Sequence, residues 1–215
     1  MIITELETHY KSIRDNFNEN FRLRIHRSIS WLKRAKIEEN EDMKFVSLWI
    51  AFNAAYAKEL AENFGEKVNL NEFLLKLCSL DKENKIYNLI WKTFPHAIRM
   101  LLDNKFVFQP FWDFHNGKIS EAEYIKAEMI DRERFYSALE KQKTAQILSV
   151  LFNRLYTMRN QIIHGGSTYG GSKNRDQVRD SCRILTALLP EMLQIMMNNH
   201  DEVDWGKPFY PVVKE

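Results

Sequence analysis

The stretch around which the chain is organised is Arg154–Gly171, which reads RLYTMRNQIIHGGSTYGG. An apolar-periodic run leads into it, and four of the chain's seven glycines close it. Gly165 suits the position just after a helix end, because glycine has no Cβ to hinder a positive φ angle. The pattern therefore predicts a helix that ends at His164 and presents Arg159, Asn160 and His164 at a solvent-accessible edge.

The most apolar stretch of the chain is Met43–Leu60, which reads MKFVSLWIAFNAAYAKEL. It is apolar nearly all round, which is typical of a helix that is buried on every side. Asn53 is the polar exception, and a buried amide needs hydrogen-bond partners. We therefore expect Asn53 to be hydrogen-bonded and to lie within reach of the Arg159–His164 helix, as a supporting residue of the site.

Apolar residues recur at helical spacing through the rest of the chain. Few segments alternate with period two, and both observations favour an all-α fold. Ser120 and Glu123 form a capping-box pattern at the start of a long helix, and Asp176 is the expected N-cap of the last one. The predicted helices are Thr4–Ile37 with a break near Asn18–Asn20, Met43–Leu60, Leu70–Leu80, Lys82–Phe94, one from Thr93 to about Asn104, one from Ser120 to about Lys141, one from about Lys143 to His164, and one from Asp176 to about Asn198.

The domain prediction is a single helical bundle over residues 1–215. Residues 64–118 are expected to form a helical insertion into this bundle, and residues 201–215 an extended tail. Within the insertion, the aromatic stretch FVFQPFWDFH over Phe106–His115 is either a short irregular helix or a packed loop.

Composition limits the class of protein. The chain has 215 residues, of which 45% are hydrophobic, so it can bury a core. A net charge of only +2 argues against a strongly basic nucleic-acid coat protein but permits a local basic patch.

Cys78 and Cys182 lie far apart without a C-x-x-C partner, which predicts free thiols. No signal-peptide pattern and no run of ~18 apolar residues is present, so we expect a soluble cytoplasmic protein and no membrane partner.

Three motifs resemble the HEPN family, small all-α domains found in prokaryotic toxins, anti-phage systems and RNA-processing proteins. They are SWLKRA at Ser30–Ala35, LWIAFNAAY at Leu48–Tyr56 and RNQIIHGG at Arg159–Gly166. The resemblance covers about residues 21–60 and 145–189, and residues 64–118 match nothing in it. It implies metal-independent RNA cleavage by an arginine–histidine pair, often at a two-fold dimer interface, without a cofactor. It also implies an antitoxin or defence-system protein as a possible partner.

The residue types at this site fit that chemistry. Histidine can act as base or acid near neutral pH, and arginine binds phosphate oxygens with a planar fork. Asn160 lies four positions before His164, so it can orient either the phosphate or the ring. Arg159 and His164 are five positions apart and diverge by about 140° on a straight helix. They can converge only if the last turn unwinds or if two chains share the site, so we expect a symmetric homodimer.

A basic stripe follows the glycines, and it comprises Lys173, Arg175, Arg179 and Arg183. Its arginines recur at intervals of four, so they share one helix face, which could track an RNA backbone or could simply be a solvated face. Tyr169 could stack a base, whereas Phe111, Trp112 and Phe114 could either stack bases or pack in the core. The histidines show no ligand spacing with cysteines or carboxylates, so we predict no metal site.

Two functional hypotheses follow from these patterns. The first is a metal-independent ribonuclease in a toxin or phage-defence role, with Arg159, Asn160 and His164 as catalytic residues. The second is a catalytically silent HEPN-like module that binds RNA, a nucleotide or a protein partner. In the simplest structural interpretation, Arg159 is a solvated arginine and His164 only caps a helix.

Overall fold

The computed structural model describes residues 3–57, 66–172 and 174–211. Within these ranges the chain forms ten α-helices and no sheet, which confirms the all-α prediction. The helices are α1 (Ile3–Ile13), α2 (Glu19–Lys36), α3 (Glu41–Tyr56), α4 (Glu66–Leu80), α5 (Lys85–Asn88), α6 (Pro95–Asp103), α7 (Gln109–His115), α8 (Glu121–Glu140), α9 (Thr144–Ile163) and α10 (Arg175–Asn198). Short 3₁₀ turns occupy Arg14–Asn16 and Lys105–Val107, and a π-helical turn occupies Leu89–Thr93.

Side-chain caps set several helix starts. Asn18 and Asn40 each accept a hydrogen bond from the backbone N–H three residues later, at 2.9 and 3.0 Å, and thereby start α2 and α3. The predicted capping box at α8 is confirmed: the Glu123 N–H donates to Ser120 Oγ (3.3 Å), and the Ser120 N–H donates to Glu123 Oε2 (2.7 Å). These caps satisfy N–H groups that have no partner inside the helix.

The predicted N-cap of the last helix is wrong. Asn174 holds the cap position of α10 at φ 61°, without a side-chain hydrogen bond, and the helix begins at Arg175. Asp176 therefore lies within the first turn of α10. Its negative charge there interacts favourably with the positive end of the helix dipole. The sequence signal of an acidic residue near a helix start was present, but the chain enters the helix two residues earlier.

Helix α3 lies at the centre of the fold and packs against α2, α9 and α10. The ring of Phe52 stacks on that of Phe152 with centroids 4.2 Å apart, and the Trp49 ring lies 6.1 Å from that of Tyr156. Burial of each such ring contributes roughly 1.5–3 kcal/mol relative to exposure. These contacts fix α9 against α3, so the end of α9 is held by the core. The predicted end of the central helix at Leu60 is wrong: α3 ends at Tyr56, and Ala57 has extended backbone with a ψ of 126°.

The residues predicted to form an insertion, called the insertion below, pack onto the same core. Leu74, Leu77 and Ile86 are fully buried, α4 packs on α9 and α10, and α6 packs on α9. The aromatic stretch over Phe106–His115 forms the end of the 3₁₀ turn and α7, which agrees with the first alternative, a short irregular helix.

No helix in the described ranges is long and apolar enough to cross a bilayer. Both cysteines are free, and burial raises the pKa of each thiol to about 12.

A buried arginine joins α9 to α8 and to the insertion. The guanidinium of Arg154 pairs with Asp131 on α8 and donates to the backbone oxygen of Leu102 at 3.3 Å. It also lies 4.4 Å from the centroid of the Phe108 ring. Arg154 therefore fixes α9 to α8 and to the insertion about one and a half turns before Arg159.

The tail crosses the ends of α2 and α3 without forming a helix between residues 201 and 211. The fully buried Arg24 of α2 donates to the carbonyl oxygens of Ala55 (2.7 Å) and Ala57 (2.8 Å) at the end of α3, and to that of Gly206 (3.2 Å) in the tail. Burial lowers the pKa of Arg24 to about 10. One buried cation thus caps the central helix and holds the tail in place.

Candidate functional site

Helix α9 ends in a Schellman motif, in which two backbone bonds reach back over the last turn. The N–H of Gly166 donates to Gln161 O (2.7 Å), and the N–H of Gly165 donates to Ile162 O (3.3 Å). Gly165 has a φ of +72°, as predicted from its position after His164. The helix end is therefore a defined structure, and the site residues project from a fixed backbone.

The three predicted catalytic residues occupy two places at this helix end. Arg159 Nη1 donates to Asn160 Oδ1 at 2.9 Å, and both residues are half-buried. The His164 side chain is exposed. The backbone N–H of His164 donates to the backbone oxygen of Asn160 at 3.0 Å, so the last turn of α9 stays regular. Because the helix does not unwind, the side chains of Arg159 and His164 leave it about 140° apart. One chain thus presents an arginine–asparagine unit on one side and an imidazole on another.

The glycine-rich loop after α9 is tied to the start of α3 by a buried carboxylate. Asp42 is only 4% exposed, and its Oδ2 accepts from the Gly170 N–H at 2.9 Å. Its Oδ1 accepts from Arg175 Nη2 at 2.6 Å. Burial alone would raise the pKa of Asp42, but the hydrogen bonds from Arg175 and Gly170 and the charge of Arg175 lower it below its ordinary value. The loop and the first turn of α10 are therefore fixed relative to the core.

The basic stripe of α10 is matched by carboxylates. Arg175 pairs with the buried Asp42, which gives it a structural role that its spacing did not predict. Arg179 pairs with Asp176 at 2.5 Å, and Arg183 pairs with Asp180 at 3.5 Å. The last two arginines are more than half exposed, and such surface pairs contribute only about 0–1 kcal/mol, so they open readily for a phosphate. Lys173 lies outside the described residues.

Asn53 departs from the expectation that its amide is hydrogen-bonded. Its Oδ1 is buried and has no hydrogen-bond partner among the described residues. The pairs Phe52–Phe152 and Trp49–Tyr156 show that α3 and α9 run antiparallel, so Asn53 lies near the level of Phe152. Phe152 precedes Arg159 by about 10 Å of helix rise. Asn53 lines a groove beside α2 and the tail, and its role as a supporting residue of the α9 site stays a prediction.

The insertion contributes a surface beside the site that sequence reasoning missed. Gln161 Nε2 donates to the backbone oxygen of Phe106 at 2.6 Å, and Trp112 Nε1 donates to the same oxygen at 2.8 Å. Phe106 is 43% exposed, and Lys105 Nζ lies 5.4 Å from the centroid of its ring. Gln161 is three residues before His164, so the two share a helix face. The only sequence signal for this surface was the density of aromatic residues in the insertion.

The end of α9 offers a guanidinium, an amide and an imidazole close to an exposed aromatic ring. Among residues 3–57, 66–172 and 174–211, no three His, Cys, Asp or Glu side chains are placed to hold a metal ion together. No protein-family model, curated protein or solved structure matches this chain. What the group can do therefore follows from its own chemistry: it can bind an anion, stack a planar ring and transfer a proton.

Proposed function

We propose that the chain is a metal-independent endoribonuclease in a toxin or phage-defence role. The observation that carries the proposal is that one fixed helix end presents both an oriented guanidinium and an exposed imidazole: Arg159 is held by Asn160 at 2.9 Å, and His164 lies about one and a half turns further on. The resemblance of RNQIIHGG to the HEPN motif supports the same assignment. Arg159, Asn160 and His164 are the proposed catalytic residues.

The proposed reaction uses the 2′-OH of the substrate as nucleophile. His164 accepts the proton of the 2′-OH while its oxygen bonds to the adjacent phosphorus and the bond from phosphorus to the 5′-oxygen breaks. The departing 5′-oxygen takes up a proton from a protonated imidazole or from water. Arg159 stabilises the charge on the non-bridging oxygens with its fork of donors. The products are a 2′,3′-cyclic phosphate and a 5′-hydroxyl.

The site is proposed to be shared between two copies of the chain. On one helix the two side chains diverge, whereas a two-fold axis beside the helix end can bring Arg159 of one copy to His164 of the other. Ile163, next to His164, is 49% exposed, and this apolar side chain suits such an interface.

Complementation between two inactive variants tests this sharing. Arg159→Ala and His164→Ala should each be inactive alone, but a heterodimer of the two contains one intact site. An equimolar, re-equilibrated mixture should therefore regain about a quarter of the wild-type activity, because half of the dimers are mixed and each has one of two sites. No recovery in a mixture that demonstrably contains heterodimers would rule out a site shared in this way.

Substrate RNA is proposed to extend from His164 over two surfaces. Phe106 can stack a base, which is worth roughly 1–3 kcal/mol per base, and Arg179 and Arg183 can exchange their carboxylate partners for phosphates. Arg175 has no such role, because its partner Asp42 is buried.

A catalytically silent module that binds RNA, a nucleotide or a protein partner is the second candidate. The observation that favours it is the pairing of Arg175, Arg179 and Arg183 with carboxylates, which leaves the stripe with little net charge. Such a module would retain RNA on a filter without shortening it.

The experiment that tests the proposal incubates the purified chain with a mixed RNA pool and with matching DNA, each with and without EDTA. Cleavage of RNA alone, unaffected by EDTA, is expected, and Arg159→Ala and His164→Ala should reduce it by about 10²–10⁴-fold. His26→Ala and Arg22→Ala are matched controls, because both residues are exposed on α2. Binding without cleavage would favour the second candidate.

A further inference from the structure

A groove of about 500 Å³ lies between α2, α3 and the tail. Its volume falls within the range of small-molecule sites, roughly 300–1,000 Å³. Three of its aromatic residues are partly exposed: Trp31 from α2, and Phe209 and Tyr210 from the tail. The groove plays no part in the proposed ribonuclease site.

The groove contains a hydrogen-bond acceptor without a partner. Asn53 lines it, and the Oδ1 atom of Asn53 is buried and unsatisfied among the described residues. Almost all buried polar atoms in proteins have a partner, so an orphaned amide oxygen beside an open groove points to a donor that none of the described residues supplies. A planar N–H or amino group that enters the groove would supply that donor.

The charge of the groove is positive. Two arginines line it, and no Asp or Glu does among the described residues. The Nη1 and Nη2 groups of Arg24 already donate to backbone carbonyls of α3 and the tail. Arg27 donates one bond, to Tyr210 O at 2.5 Å, and a guanidinium carries five donors, so it retains donors for a bound anion. The groove therefore favours an anionic group at Arg27.

We propose that this groove is a second binding site, for a small aromatic carboxylate that carries one N–H or amino donor. The ring lies among Trp31, Phe209 and Tyr210, the donor bonds to Asn53 Oδ1, and the carboxylate bonds to Arg27. Aromatic walls, one acceptor and one cation match the three parts of such a molecule.

The probe is indole-3-acetate, titrated into the full-length chain by isothermal titration and saturation-transfer NMR. A ligand of this size should bind with a Kd of about 1 mM or tighter. Indole lacks the carboxylate and phenylacetate lacks the N–H, so each should bind about tenfold more weakly than indole-3-acetate. Absence of saturable binding of indole-3-acetate up to several times that concentration would overturn the proposal.

Two variants locate the binding. Arg27→Gln should weaken indole-3-acetate about tenfold and leave indole unchanged, whereas Asn53→Leu should weaken indole-3-acetate and leave phenylacetate unchanged. Arg132→Gln, an exposed arginine on α8, should alter neither. Equal affinity of the wild type, Arg27→Gln and Asn53→Leu would place the binding elsewhere and refute the site.

The melting temperature of ligand-free Asn53→Leu provides an independent check. Leucine removes the unsatisfied acceptor without leaving a cavity, so this variant should melt at or above the wild-type temperature. A clear drop in melting temperature would mean that Oδ1 is already satisfied in the free protein, and it would overturn the argument for an external donor.

Discussion

Replacement of Asp42 by asparagine tests whether a buried charge fixes the glycine loop beside the site. The carboxylate accepts from Arg175 at 2.6 Å and from the Gly170 N–H at 2.9 Å. A hydrogen bond to a charged group contributes about 1.5–3 kcal/mol and a neutral one about 0.5–1.5 kcal/mol. Asparagine keeps one acceptor oxygen and turns its amide donor towards the other donor, so it loses the charge and one of the two bonds.

The expected loss of unfolding free energy is about 2–3 kcal/mol, less than the 3–5 kcal/mol for breaking a fully buried pair, because Arg175 can partly reach water. For a chain of this length, 1 kcal/mol corresponds to roughly 2–4 °C in Tm, so the variant should melt about 4–12 °C below the wild type. Thermal and urea denaturation at pH 7 measure this difference.

The stabilisation of the fold by Asp42 should depend on pH in a defined direction. The folded pKa of Asp42 is lowered, so the stabilisation is complete above the ordinary pKa of 3.8 and is lost as the pH falls through the folded pKa. The difference between the wild type and Asp42→Asn should therefore be constant from neutral pH down to about pH 5 and shrink below pH 4. Asp176→Asn is the matched control, because its pair with Arg179 is exposed and should contribute little. If Asp42→Asn melts within 2 °C of the wild type at pH 7, the anchoring role is refuted.

Three further predictions concern other parts of the fold and the site. Gly165→Ala should cost about 1–2 kcal/mol in urea denaturation, because alanine is strained at a φ of +72°, and an unchanged midpoint would contradict the Schellman end. Phe106→Ala should weaken RNA binding by about 1–3 kcal/mol in a filter assay at constant salt, and equal binding would remove Phe106 from the substrate surface. Arg24→Leu should lower the unfolding free energy by about 3–5 kcal/mol, because it leaves buried carbonyls of α3 and the tail unsatisfied, while Arg27→Gln should stay within about 1 kcal/mol of the wild type. Similar stabilities of these two variants would contradict the capping role of Arg24.

Local signals predicted the parts of this structure that depend on a few adjacent residues. The apolar period of α9 followed by Gly165 predicted both the helix and its end, and the Ser120–Glu123 box was predicted from four positions of sequence. These features form within one or two helical turns, so their energetics are visible in the sequence itself.

Long-range contacts were not predictable in the same way. Asp42 and Gly170 are 128 positions apart, and Phe106 and Gln161 are 55 apart. Nothing in the spacing of either pair indicates that they meet, because the contact depends on how α3, α9 and the insertion pack. For the same reason Arg175 was interpreted as part of a basic stripe, although its partner is a buried carboxylate.

Asn53 shows the limit of a correct local rule. The sequence predicts the apolar helix around it, and a buried amide in such a helix needs a hydrogen-bond partner. The rule does not say which face of α3 the amide occupies. That face is set by the packing of α2 and the tail, which place Asn53 beside the groove.

The central claim is that His164 promotes attack by the substrate's own 2′-OH. The most direct test uses one end-labelled RNA oligonucleotide that the wild type cuts at a mapped position, and the same oligonucleotide with a single 2′-deoxy residue on the 5′ side of the cut. The account predicts cleavage of the first with a 2′,3′-cyclic phosphate end, no cleavage of the second at that position, and a loss of about 10²–10⁴-fold in rate for His164→Ala on the first. Cleavage of the 2′-deoxy oligonucleotide at the same position, or an undiminished rate for His164→Ala, would contradict it.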